Sequence, residues 1–293
     1  MSKIITWQSS QYSQSEIAQY TDSLYYAENV TRYMKFQSSV SLKYCLADAI
    51  RYTKNGQYVE VPKGSFLLTN NGSEMECLPN NSGGKVLFLY FTDALISDVY
   101  RSRCCPQAEL LDNPGVAPES LFLLEHVYGE QHRLQARLHN LAQRISTEKA
   151  GKREMGAEVI YSFAEELLSM QQHLTRQMNR LPARSPAVRE ELFRRLLRAE
   201  TFMRDLWQHD LHLDDLARHA CLSPYHFHRT FRAAYGKSPV QWFRDLKLEK
   251  AKAMLASDKR SVREVALHCG FADVYSFSKA FKKGFGVNPS DSR

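Results

Sequence analysis

The stretch Leu216-Ala217-Arg218-His219-Ala220-Cys221-Leu222-Ser223-Pro224-Tyr225-His226-Phe227-His228-Arg229-Thr230-Phe231-Arg232 decides how the last third of the chain folds. Leu216 to Ala220 reads as a short amphipathic helix that runs into a tight turn. Asp214 and Asp215 sit in its first turn, where the helix dipole favours negative charge. Ser223-Pro224 then starts a second helix, with Ser as N-cap and Pro at the first helical position, where a missing N–H costs nothing. Phe227 and Phe231, four residues apart, give that helix one apolar face. At about 100° per residue, Tyr225 and Arg229 fall on the opposite side, flanked by His226, His228 and Arg232. A helix, a short turn and a helix with a polar, basic outer face is the helix-turn-helix pattern.

The pattern returns later in the chain. Ser261-Val262-Arg263-Glu264 is a capping box. Val265 to Phe271 gives a second short helix and turn, and Asp273 caps a helix from Val274 to Lys283. In register, Ala217 matches Ala266, His219 matches His268, Tyr225 matches Tyr275, Phe227 and Phe231 match Phe277 and Phe281, and Arg229 matches Lys279. Gly236 and Pro239 match Gly286 and Pro289, with one residue inserted at the second turn. The chain therefore holds an internal repeat. Pro239 to Leu255, between the copies, reads as one long helix that would hold two recognition helices at a fixed separation. From one side of the domain they could enter major-groove segments about 34 Å apart.

The charge agrees. The chain has 293 residues and a formal net charge of +7. Residues 186–293 hold 20 basic and 13 acidic residues, and residues 1–185 hold 19 of each. The whole excess sits in the doubled segment, as expected of a polyanion-binding module joined to a neutral one. The composition, 43% hydrophobic and 24% charged, is that of ordinary globular domains and excludes a disordered tail or a collagen-like fibre. No run approaches the length of a membrane-spanning helix, and the N-terminus lacks a secretion signal, so a cytoplasmic protein with no membrane partner is expected.

The first 95 residues or so read as short strands separated by turn chemistry. Asn55-Gly56 and Asn71-Gly72 are type I′ hairpin signals, and Asn80-Asn81-Ser82-Gly83-Gly84 is a third turn. Tyr58 to Val61, Ser65 to Leu68 and Lys85 to Phe91 are the apolar runs between them, suited to a small antiparallel sandwich or barrel. Further on, Leu134, Leu138, Leu141 and Ile145 recur at helical spacing, as do Val159, Phe163, Leu167, Met170, Leu174 and Met178. The polar stretch from Thr147 to Arg153 breaks that helical pair. Asn179 to Pro186 holds two prolines four apart and reads as a linker.

Residues from about 190 to 293 resemble the DNA-binding domain of AraC/XylS-type bacterial transcription regulators. The resemblance rests on Leu216-Ala217, Leu222-Ser223, Phe231, Gly236-Lys-Ser-Pro239, and Lys247-Leu248 with Ala251 and Leu255. It continues through Val265-Ala266, Gly270-Phe271, Phe277, Phe281-Lys-Lys, Gly286 and Asn288-Pro289. Family members often carry Arg where this chain has Lys247. The resemblance implies base-reading positions at Tyr225, His228 and Arg229, and at Tyr275, Ser276 and Lys279. It also implies that Tyr58 to Leu68, with Pro62-Lys63-Gly64, belongs to a cupin-like barrel that binds a small effector, followed by helices that dimerise. The expected architecture is α+β and multidomain. Residues 1–116 form an N-terminal antiparallel β-barrel (cupin-like) sensor domain, 117–180 a helical dimerisation segment, 181–189 a linker, and 190–293 an all-α double helix-turn-helix domain.

The expected function is sequence-specific DNA-binding transcription regulation, effector-responsive through the N-terminal domain. The expected partners are double-stranded DNA at a promoter or operator, a second copy of the chain, and RNA polymerase if the protein is an activator. Arg194, Arg195, Arg232, Lys237, Lys282 and Lys283, with Arg184, are candidates for phosphate contacts, which supply affinity and salt dependence. Arg229 and Lys279 are the best candidates for base contacts. A constitutive DNA-binding dimer and a metal-free cupin enzyme fused to a DNA-binding tail are the alternatives. No nucleophile elbow, phosphate-binding glycine loop or paired catalytic carboxylates appear, so no enzyme is expected. No cofactor or metal is expected either. No histidine precedes His126, which leaves the barrel region without a His-ligated metal. Some relatives carry a zinc-bound, methyl-accepting cysteine near the N-terminus. Cys45, Cys77, Cys104 and Cys105 include no C-x2-C pair, so that role is set aside, and a redox role for Cys104-Cys105 ranks below two plain thiols.

Overall fold

The computed structural model describes residues 3–8, 22–30, 34–78, 84–104, 123–129, 133–147, 157–257 and 260–292. The chain divides into two compact units, Met1–Leu174 and Thr175–Arg293.

The first unit contains β1 (Lys3–Gln8), β2 (Ser23–Val30), β3 (Met34–Gln37), β4 (Val40–Ala47), β5 (Ile50–Lys54), β6 (Gln57–Val61), β7 (Phe66–Thr69), β8 (Glu74–Cys77), β9 (Gly84–Phe91) and β10 (Val127–Tyr128). They form a six-stranded sheet in the order β1-β2-β9-β4-β7-β10 and a four-stranded sheet in the order β3-β8-β5-β6. Every pairing is antiparallel except β1 with β2, which is parallel. The two sheets face each other across a shared core. Tyr25, Cys45, Leu67, Val86, Phe88 and Tyr90 come from one, and Ile50, Tyr52, Val61, Met75 and Cys77 from the other.

The unbroken apolar run of β9 follows from this packing. Val86, Phe88 and Tyr90 enter the inter-sheet core, while Leu87, Leu89 and Phe91 on the opposite face are buried as well. A strand covered on both faces does not alternate. On the outer face, α2 (Arg133–Thr147) packs on β4 and β9; α1 (Asp93–Cys104) follows β9 in the chain, and α3 (Ala157–Asn179) follows α2. Apolar spacing marks α2 and α3 in the sequence but not α1. The start of α1 is marked by Thr92, whose hydroxyl accepts from the Leu95 N–H at 3.1 Å while Asp22 holds both the N–H and hydroxyl of Thr92.

The two Asn-Gly turns differ. Asn55 and Gly56 have φ of 48° and 77° and join the paired strands β5 and β6, as a type I′ hairpin requires. At Asn71-Gly72 only the glycine has positive φ, 80°, so the expected type I′ turn is absent. The reason is topological: β7 lies in the six-stranded sheet and β8 in the other, so this turn carries the chain between sheets. The Asn80–Gly84 turn and Cys105 fall outside the described residues, apart from Gly84 itself.

A polar knot lies at one edge of this core. Lys43, 1% exposed, donates to Ser38 at 3.0 Å, Ser41 at 2.7 Å and Thr69 at 2.7 Å. Burial pushes its ammonium pKa down to about 7, against the opposing field of Glu125.

The second unit is helical: α4 (Pro186–Asp205), α5 (Leu213–His219), α6 (Pro224–Tyr235), α7 (Pro239–Ser257), α8 (Val262–His268) and α9 (Val274–Phe285), then a 3-10 turn at Pro289–Ser292. The Asn179–Pro186 segment leaves the helical path but is not slack. Leu181 is buried, and Arg189 donates to Asn179 Oδ1 and the Ala183 carbonyl.

Candidate nucleic-acid interface

Both copies of the repeat are built alike. Helix α5 ends with Ala220 as C-cap, Cys221 in the left-handed region, and Leu222 donating back to the Ala217 carbonyl at 2.9 Å. Helix α8 ends with Cys269, Gly270 and Phe271 in the same roles, Phe271 donating to the Ala266 carbonyl at 3.0 Å. This six-to-one bond, with the companion bonds Cys221 N to Arg218 O and Gly270 N to Leu267 O, is a Schellman motif. It turns the chain sharply into the next helix. Ser223 caps α6 by accepting from the His226 N–H, and Asp273 caps α9 by accepting from the Ser276 N–H. That bond holds the Asp273 carboxyl below the usual carboxylate range.

The phenylalanines anchor the two long helices. Phe227, Phe231, Phe277 and Phe281 are each fully buried. Phe231 stacks on Tyr235 and meets Trp242 of α7, while Phe277 and Phe281 join Leu248, Ala251 and Leu255 of α7. With these faces turned inward, the opposite faces of α6 and α9 are exposed. Tyr225 and Tyr275, the matched pair, are each 78% exposed. Arg229 and Lys279 are exposed, one turn further along. His228 and Ser276 are half-buried, the flanking position that the helical wheel gives them. Ser276 also spends its hydroxyl on the Asp273 carbonyl at 3.0 Å.

The phosphate candidates separate into two groups. Arg232, Lys282 and Lys283 are exposed and make no ion pair among the described residues. Arg194, Arg195 and Lys237 are already engaged. Arg194 pairs with Glu190 at 2.6 Å, Arg195 with Glu191 at 2.8 Å, and Lys237 with Asp245 at 2.7 Å. Arg195 also donates to the Cys221 carbonyl at 3.2 Å, bracing the first turn. His219 and His268 pack as structural groups, against Phe202 and against Trp207 and Gln208 respectively.

Lys247 has a role that its place in the motif does not reveal. Lys247 is buried, with Nζ 4.8 Å from the centre of the Phe243 ring, and burial lowers its pKa against the field of Asp210. Its Nζ and the Gln208 carbonyl crowd the place where a side chain at Gly270 would begin, at 2.9 and 2.8 Å. The signal was present: Phe243, Lys247 and Ala251 share one face of α7.

Among the described residues no group of three His, Cys, Asp or Glu side chains gathers as a metal site, and no helix is long and apolar enough to cross a membrane.

The helix-turn-helix domain family matches residues 216–293. The chain is 28% identical over 141 residues to the HTH-type transcriptional regulator ArgR of Pseudomonas aeruginosa, covering 48% of this chain and 42% of that protein. It is 36% identical over 86 residues to the arabinose operon regulatory protein of Salmonella typhimurium, covering 29% of this chain and 31% of that protein. Among solved structures, an AraC-type transcriptional regulator from Chromobacterium violaceum aligns with 26% identity and a TM-score of 0.33, covering 34% of this chain and 88% of that one. The chain spans less than half the length of these curated relatives.

Proposed function

We propose that this chain, whose C-terminal region carries a helix-turn-helix domain of the AraC/XylS type, is a cytoplasmic, sequence-specific transcription regulator that binds double-stranded DNA. The observation that carries the reading is the doubled recognition face: two capped helices, α6 and α9, each buried by a Phe pair and each presenting Tyr and a cation outward. Arg229 and Lys279 are the base readers of the two copies, with Tyr225, His228, Tyr275 and Ser276 beside them. An Arg bidentate to guanine supplies about 1–3 kcal/mol of discrimination. Arg232, Lys282 and Lys283 supply phosphate contacts, and Arg194, Arg195 and Lys237 reach phosphates only by exchanging a carboxylate partner.

The N-terminal unit, as a cupin-like barrel, senses a small effector, and the helices after it serve a homodimer that positions the DNA-binding domains. RNA polymerase is the further partner of an activator. The chain is not an enzyme in this reading, and it uses no cofactor.

The test is selection of bound fragments from the host genome with the full-length protein at physiological salt, beside Arg229→Ala and Lys279→Ala. One enriched motif with two blocks about one helical turn apart, each relaxed by one substitution, is the expected result. Weak, sequence-blind binding that falls with salt alike in all three proteins would reduce the basic domain to an electrostatic anchor.

A further inference from the structure

We infer that Trp207 and Gln208, in the connection from α4 to α5, are positioning residues: they brace the second helix-turn-helix copy against the first and so set the spacing of the two DNA blocks that the copies read. The DNA consequence rests on the regulator reading above. The brace itself does not. By sequence the connection, residues 206–212, is the approach to the first copy. Helix α4, which it leaves, packs on both helices of that copy, where Tyr235 donates to Glu200 at 2.6 Å and Phe202 meets His219. Trp207, however, packs against the core of the second copy, the cluster that holds Leu248, Phe277 and Phe281.

Several contacts make this crossing. The Trp207 ring meets the His268 ring edge-on, with 5.8 Å between centres, and Lys250 of α7 holds its ammonium 5.6 Å from the Trp207 ring centre. The Gln208 amide nitrogen lies 3.0 Å from His268 Nε2. Two adjacent residues thus grip the last residue of α8. The backbone is engaged as well. The Gln208 carbonyl lies 2.8 Å, and Lys247 Nζ 2.9 Å, from the point where a side chain at Gly270 would begin, so the connection lies against the turn that leads into α9. Burial lowers the Lys247 pKa, and Asp210 of the same connection opposes that shift with its charge.

The repeat does not require these contacts. Counted back from the matched pair Ala217 and Ala266, the place of Trp207 falls in the second copy on Ala256, an exposed residue with no ring to insert. The brace therefore runs one way, from the approach to the first copy onto the turn of the second. Its mechanical effect follows. Two bodies joined by one helix can rock about that helix, and a second link away from it removes the freedom. One base pair inserted between the DNA blocks shifts one block by about 3.4 Å and turns it by about 35°. A braced pair of recognition helices cannot follow that displacement, and a loosened pair can.

Binding of the full-length protein to its selected DNA site, and to the same site with one base pair inserted or removed between the blocks, tests the positioning role. The wild type should lose about tenfold or more in affinity on either change of spacing. Trp207→Ala should cut that penalty to about threefold or less, with base preferences inside each block unchanged, and Trp207→Phe, which keeps a ring, should retain it. Gln208→Ala and His268→Ala, at exposed positions, should act like Trp207→Ala and keep the test open if that variant fails to fold. Variants that melt like the wild type and keep the full penalty overturn the positioning role. Amide hydrogen exchange without DNA reads the brace by itself. His268→Ala should speed exchange of the His209 N–H, which donates to the Leu206 carbonyl at 2.9 Å within the connection, by about tenfold or more. Unchanged exchange there overturns the brace. Faster exchange in a protein whose wild type selects no two-block site would sink the regulator reading and leave the brace standing.

Discussion

Cys221 and Gly270 occupy the same left-handed backbone position in the two copies of the repeat, at φ of 52° and 71°. Each ends a short helix, and in each the next residue reaches back to close the turn. The two copies therefore solve one geometric problem with different residues. Glycine takes this conformation freely, whereas an L side chain is strained there by about 1–2 kcal/mol.

Opposite effects follow at the two positions. Cys221→Gly is expected to leave stability unchanged or raise it by up to about 1 kcal/mol, the relieved strain partly offset by the greater freedom of the unfolded glycine. Gly270→Ala is expected to destabilise by roughly 2–4 kcal/mol, because the new Cβ adds contacts of 2.8 Å with the Gln208 carbonyl and 2.9 Å with Lys247 Nζ. Thermal melting of the two variants beside the wild type checks both signs, and a Gly270→Ala protein as stable as wild type would refute the crowding.

Burial divides the aromatic residues of the recognition helices. Phe281→Ala removes a fully buried ring and is expected to cost about 3–5 kcal/mol. Tyr275→Ala, on the exposed side of the same helix, should change stability by no more than about 0.5 kcal/mol while weakening DNA binding. Urea denaturation can be followed by tryptophan fluorescence, since Trp207 and Trp242 both lie in the second unit.

Prior engagement sorts the cations. Lys282→Ala should lower the slope of log affinity against log salt by about 0.9, as expected for one lost phosphate contact. Lys237→Ala should lower it by less, because Lys237 pairs with Asp245 at 2.7 Å before any DNA arrives. Binding titrations at several salt concentrations distinguish the two, and equal slopes would overturn the sorting.

The buried Lys43 gives the first unit a pH dependence of definite sign. Its folded-state pKa, about 7, lies below its ordinary value near 10.5, so between those values the unfolded chain binds more protons than the folded one. Stability from this group therefore rises with pH above about 7 and is lowest, and flat, below it. Cys45 and Cys77 act the other way: burial raises both thiols to about 11, and their contribution falls once unfolded thiols ionise near pH 9. Between pH 7 and 8.5 the wild type should gain stability more steeply than Lys43→Met, as read by the difference between their melting curves. Parallel curves would mean that Lys43 stays charged when folded.

Much of the second unit was legible because local signals agree there. Ser223-Pro224, Ser261 with Glu264, and Asp273 each mark a helix start, and the Phe pairs mark the buried face, so pattern and packing point to one answer. Arg229 and Lys279 were legible for the same reason. Lys247 was not, because a lysine in a motif reads as surface charge until the ring beneath it and the glycine beside it are seen. In the first unit the strands around Asn55-Gly56 were legible. The Asn71-Gly72 turn misled because the sequence marks a change of direction without saying which strand comes next to which. The parallel pairing of β1 with β2, and the packing of α2 on β4 and β9, arise from contacts between residues far apart in the chain, which no short pattern encodes.

Helix α7 contributes to both copies at once: Trp242 meets Phe231 of the first, and Leu248, Ala251 and Leu255 join Phe277 and Phe281 of the second. It acts as a ruler with one graduation per residue. Each inserted or deleted residue would swing one copy against the other by about 100° and slide it by about 1.5 Å. The phase between the two recognition faces is thus written as a residue count between Trp242 and Leu248, and variation can alter each face residue by residue but their mutual phase only in coarse jumps.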